Sequence, residues 1–117
     1  MVPQVKVELL TVADCPSKAG AEAMIESVAG ELGLDVSIEF HEVSDEGTGQ
    51  RLRFAGSPTI RVQGVDIEPG WESSGDFAPR CRIYQTAAGL RGLPERDWLR
   101  SACEVALTGG ATGEAAG

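Results

Sequence analysis

Apolar and polar positions alternate along the chain in a way that marks out seven elements. Residues 5–12, Val-Lys-Val-Glu-Leu-Leu-Thr-Val, alternate and then run apolar, the pattern of a buried strand. Cys15-Pro16 breaks it, and Pro16 suits the first position of a helix, where its missing N–H needs no partner. That helix is predicted over 17–32, with Met24, Ile25, Val28 and Leu32 on one face and Gly33 at its left-handed end. Residues 35–43 alternate again, with Val36, Ile38 and Phe40 inward, and give a second strand. A short helix near 48–54 follows, then a turn at Gly56-Ser57-Pro58. Strands at 59–63 and 65–68, joined through Gly64, read as a hairpin.

Residues 69–80 have no period and form an irregular loop, a length that is often functional. Cys81-Arg82-Ile83-Tyr84 reads as a short strand, and Gly89 and Gly92 as turns. Pro94 opens a last helix, about 95–107, with Glu95 and Asp97 in its first turn and Trp98, Ala102 and Val105 as its apolar stripe. Residues 108–117 carry no apolar period and read as a disordered tail. A right-handed crossover pairs the first two strands in parallel, and the hairpin adds antiparallel partners. The expected fold is α/β: a mixed sheet of four strands flanked by helices.

Composition narrows the function classes. At 117 residues the chain is one domain's worth. Its 42% hydrophobic and 24% charged residues suit a packed globule rather than a disordered chain. The net charge of −8 repels phosphate backbones and anionic lipid, so neither nucleic acid nor a membrane surface is an expected partner. The acids crowd into residues 1–50, either as a solvated face or as a docking surface for a basic partner. No apolar run is long enough to span a bilayer, and no secretory signal is visible at the N-terminus. Glycine-rich stretches lack phosphate-binding spacing, and no cofactor is expected.

Three cysteines, Cys15, Cys81 and Cys103, make a poor disulfide framework and fit a reducing cytoplasm. Cys15 stands at the expected helix start, where unpaired N–H groups and the helix dipole favour thiolate. Lys18 adds positive charge and Asp14 opposes it. Cys81 ends the long loop and is either the partner of Cys15 or a small buried hydrophobe. Two such thiols make a redox disulfide or a soft-metal clamp for Hg²⁺ or its like. Cys103 lies inside a helix and reads as structural. His41, the only histidine, reads as an exposed strand residue, since one histidine without companions makes no zinc site. Trp71 and Phe77 either line a groove near Cys15 or anchor the loop.

The element order, the Cys15-Pro16 junction and Ser57-Pro58-Thr59 together resemble the thioredoxin-like superfamily over residues 5–107, the expected domain. In that resemblance Asp14-Cys15-Pro16-Ser17-Lys18 corresponds to the active-site Cys-x-x-Cys, with Lys18 where the second cysteine would stand. Ser57-Pro58-Thr59 corresponds to the cis-proline turn, and Ser57's backbone to the group that pairs with extended substrate. The chain is also similar to small thioredoxin-like proteins labelled alkylmercury lyases, which share the Cys-Pro, the Gly-Ser-Pro-Thr turn and Cys-Arg-x-Tyr. The resemblance implies thiol–disulfide exchange with a protein or small-molecule thiol. Cys15, Cys81 and Pro58 would carry it, with Pro16, Ser57, Lys18 and Trp71 as binding residues. Organomercurial or soft-metal handling, and a non-catalytic interaction module, are the alternatives.

Overall fold

The computed structural model describes residues 4–110. Strand β1 (Gln4–Thr11) is central, because its odd positions Val5, Val7 and Leu9 are buried on one face and Leu10 on the other. Helix α1 (Lys18–Leu32) returns the chain to strand β2 (Asp35–Glu42), which pairs with β1 in parallel from Gln4↔Asp35 to Thr11↔Glu42. After helix α2 (Glu46–Leu52), strand β3 (Thr59–Val62) lies antiparallel on the other side of β1, and β4 (Val65–Asp66) antiparallel on β3. The sheet order is β2-β1-β3-β4, a four-stranded mixed sheet. A separate hairpin, β5 (Tyr84–Thr86) and β6 (Gly89–Arg91), precedes helix α3 (Arg96–Val105). Among the described residues no helix is long and apolar enough to cross a membrane.

The main core packs Val5, Val7 and Leu9 against Ile25 and Val28 of α1 and against Leu99 and Cys103 of α3. A smaller cluster on the opposite face joins Leu10 to Val43 and Phe54. Helix α1 ends as expected, with Gly33 at φ 66° and its N–H bonded back to the helix.

Several sequence expectations are corrected. Ser57 forms the only pairing of Cys81, an isolated parallel bridge, so the strand expected at 81–84 begins at Tyr84 instead. The turns expected at Gly89 and Gly92 contain the β5–β6 hairpin, whose strands are too short and polar to show a period. Helix α1 starts at Lys18, with Ser17 as N-cap, because Lys18 N–H closes a turn onto Cys15 C=O before the helix proper begins. Pro16 therefore lies in that turn and not at the first helical position. Glu95 is the N-cap of α3, not a first-turn residue, and its carboxylate accepts from Ala87 N–H. Trp98 and Ala102 of α3 pack on the core as expected, but its fully buried residues are Leu99 and Cys103, and Val105 points outward. Phe40 is 47% exposed on the edge strand β2, with Lys18 Nζ over its ring, 5.3 Å from the centroid. The chain continues past α3 in a π-helical turn, Ala106–Gly110, which takes in the first three residues of the expected tail; its remainder, 111–117, lies outside the described residues.

Gly49 fixes how the long loop meets α2. A Cβ there would stand 1.9 Å from the backbone oxygen of Phe77. Alanine in a helix ordinarily stabilises by about 0.5–1 kcal/mol over glycine. Gly49→Ala is expected to reverse that sign and cost about 1–3 kcal/mol, since backbone must move. Thermal unfolding of the variant checks it, and an unchanged or raised Tm would contradict the packing.

Candidate functional site

Asp14, at φ 56°, turns the chain sharply just past β1, a conformation its short polar side chain tolerates. Cys15 follows, half-buried, three residues ahead of the first helical residue. It therefore stands in a turn and not on the helix terminus itself. Val12 N–H donates to Ser57 Oγ at 3.0 Å, which ties the end of β1 to the Ser57–Pro58 junction. The Ser57–Pro58 peptide bond is cis, as expected.

Ser57 is buried, and both its backbone groups are used. Its N–H donates to Arg80 C=O at 2.8 Å, and its C=O accepts from Arg82 N–H at 2.9 Å. Residues 80–82 thus lie on Ser57 as a one-residue parallel bridge, with Cys81 in the middle and exposed. This corrects the expectation that Ser57's backbone would be open to extended substrate: the chain's own segment takes that place.

Arg82 holds the segment there. Its guanidinium is buried and bonds Asp66 Oδ2 at 2.8 Å, Asp66 Oδ1 at 3.1 Å, Glu68 Oε1 at 2.7 Å and Thr59 Oγ1 at 3.3 Å. It stacks over Tyr84, 4.4 Å from the ring centroid, and lies 5.5 Å from that of Trp71. Burial opposes its charge, but Asp66 and Glu68 hold its pKa above the ordinary value. Tyr84 donates its hydroxyl to Pro58 C=O, and burial pushes that phenol far up, so it stays a donor. Trp71 sits half-buried against this clamp, and Phe77 against α2, so both rings contact the chain that anchors their loop.

The three thiols are free and unequal. Cys103 is buried in the main core, and burial with the neighbouring Glu104 pushes its pKa up. Lys18 contacts the Phe40 ring rather than an acid. His41 is corrected from an exposed, isolated residue: it is half-buried and faces Glu8 and Glu39 across β1 and β2. Sequence reading missed Arg82, Asp66 and Glu8 as site residues. The one available signal was the Cys-Arg-x-Tyr run, which holds the clamp's Arg82 and Tyr84. Comparison of the chain with protein-family models, curated proteins and solved structures finds no match.

Replacing Arg82 by Met is expected to cost about 3–5 kcal/mol, because it strands a buried carboxylate at Asp66. Urea unfolding measures this, and a loss well under about 1 kcal/mol would mean that water takes the arginine's place. Alkylation of the folded protein should label Cys15 and Cys81 and spare Cys103 until denaturant is added. Mass mapping of the labelled peptides reads this directly, and early labelling of Cys103 would contradict its burial.

Proposed function

We propose that the chain is a thioredoxin-like thiol protein of a reducing compartment, the cytoplasm, exchanging disulfides through Cys15 with Cys81 as the second thiol. One observation carries the reading. Ser57 bonds Val12, three residues ahead of Cys15, through its side chain and the residues on either side of Cys81 through its backbone, so one buried residue ties together the chain segments that carry the two cysteines. The element order and the place of the Ser57-Pro58-Thr59 turn just ahead of β3 support the thioredoxin-like likeness.

The steps balance as ordinary thiol–disulfide exchange. Cys15 thiolate attacks one sulfur of a substrate disulfide and forms a mixed disulfide, and the other substrate sulfur leaves as thiolate. Cys81 thiolate then attacks the Cys15 sulfur, closing a Cys15–Cys81 disulfide and releasing the second substrate thiolate. The substrate gains two electrons and the protein loses two. A small-molecule or protein thiol restores the pair by the reverse route. Lys18, one turn along, is the nearest cation by sequence to steady the departing charge.

Mild oxidation should give one intramolecular Cys15–Cys81 disulfide, found by peptide mapping after free thiols are blocked. Cys81→Ser should leave Cys15 trapped as a long-lived mixed disulfide with an added small thiol. No disulfide, with tight one-to-one Hg²⁺ uptake lost in Cys81→Ser, would favour soft-metal handling by the same pair. Thiols inert to both would leave a non-catalytic interaction module.

A further inference from the structure

We propose that Glu8, Glu39 and His41 form a binding site for one divalent cation of the Zn²⁺ class, on the sheet face turned away from α1 and α3. The placement follows from register. β1 and β2 pair in parallel with Glu8 opposite Glu39 and Leu10 opposite His41. Val5, Val7 and Leu9 face the main core, so Glu8, one step out of phase, faces the other way. Glu39 and His41 are two residues apart and share its face.

The donor atoms are already gathered. One ligand atom from each of the three residues lies within 4.8 Å of the other two. His41 Nε2 is 3.4 Å from Glu8 Oε2 and 3.9 Å from Glu39 Oε1. Metal–ligand bonds of about 2.0–2.2 Å in a tetrahedron set neighbouring donors about 3.4 Å apart, close to the spacing found. Independently, His41 Nε2 is sealed from solvent and makes no hydrogen bond. A ring nitrogen that lies within ion-pair distance of two carboxylates but hydrogen-bonds to neither lacks a partner that all three can share. A cation between them would supply it.

The surroundings leave the site accessible. The side chains of Glu8 and His41 are 16% and 22% exposed, whereas Glu39 is 49% exposed and opens the site on one side. Lys6 Nζ lies 3.2 Å from Glu39 Oε1 and competes for that carboxylate. Arg61 stands opposite Glu8 on β3, but its guanidinium donates to Arg53 C=O at 2.6 Å. Among the described residues His41 is therefore the only basic side chain paired with Glu8. One imidazole with two carboxylates suits Zn²⁺ better than Mg²⁺ or Ca²⁺, which prefer all-oxygen sites. The fourth position falls to water, since three protein donors leave it open.

Thiols also bind Zn²⁺, so the test starts from the Cys15→Ser/Cys81→Ser chain. Calorimetric titration with ZnCl₂ should show one Zn²⁺ per chain. Adding His41→Gln should weaken binding at least tenfold, since even residues that merely orient a ligand cost 10–100-fold in affinity. Lys6→Met should tighten it, because Glu39 loses its competitor. His41 is the only histidine, so its imidazole nitrogen resonances need no assignment and read the site in unsubstituted chain. They should shift with Zn²⁺ and not with Mg²⁺. Zinc that binds equally well to the His41→Gln chain would overturn the proposal. So would imidazole signals that stay still under saturating Zn²⁺.

Discussion

The Arg82 clamp is the constraint on which the candidate site rests. A buried guanidinium stands against one buried and one half-buried carboxylate, and neither charge can stay there without the other. Such a cluster adds little net stability over an apolar one, but it fixes position. It joins β4 and the start of the long loop, through Asp66 and Glu68, to the far end of that loop at Arg82. The twelve-residue excursion is thereby closed, and its exit is pinned one residue past Cys81. Gly56 completes the fit: it has φ 112°, and a Cβ there would stand 2.8 Å from the Arg82 Cβ. Only glycine lets the two backbones approach so closely.

Pinning the exit decides what Ser57 can do. Its N–H and C=O are spent on Arg80 and Arg82, and its hydroxyl on Val12. An extended peptide therefore finds no free backbone at Ser57 unless residues 80–82 leave. Leaving means stripping Arg82 from two carboxylates, a threonine and a tyrosine face, so displacement of the segment is costly. Under the proposed exchange a substrate would meet exposed Cys81 and half-buried Cys15 as they stand, which would suit a small disulfide or an exposed protein loop more than a long strand.

Legibility followed periodicity. The four elements of at least eight residues, β1, α1, β2 and α3, were readable because each repeats an apolar pattern along its length. Cys15-Pro16 and Ser57-Pro58-Thr59 were readable because proline limits what the backbone can do around it. The β5–β6 hairpin was not, since three-residue strands carry no period. Phe40 misled because alternation reports which face a residue is on, not whether an edge strand is covered there. The clamp was invisible for another reason. Arg82, Asp66 and Glu68 look like surface charges until the loop folds them together, and nothing in the local sequence announces a buried ion pair.

His41 shows the same limit. By sequence it is one histidine, with Glu39 two residues away on the same face. Glu8 reaches it only through the parallel register of β1 and β2, which sequence can suggest but not set to the residue. Register is fixed here by the odd apolar positions of β1, because a slip of one residue would turn Val5, Val7 and Leu9 to solvent. The same alternation that builds the core thus dictates that Glu8 meets Glu39. It also brings the strand to its end at Thr11, so that Val12 N–H is free for Ser57. One strand therefore organises two chemistries: the carboxylate–imidazole cluster beside its middle and the thiols at its exit. They differ in hardness as well as place, oxygen and nitrogen donors at one and sulfur at the other. Under the two proposals a soft cation would prefer the sulfur donors and a borderline one the mixed oxygen and nitrogen donors around His41.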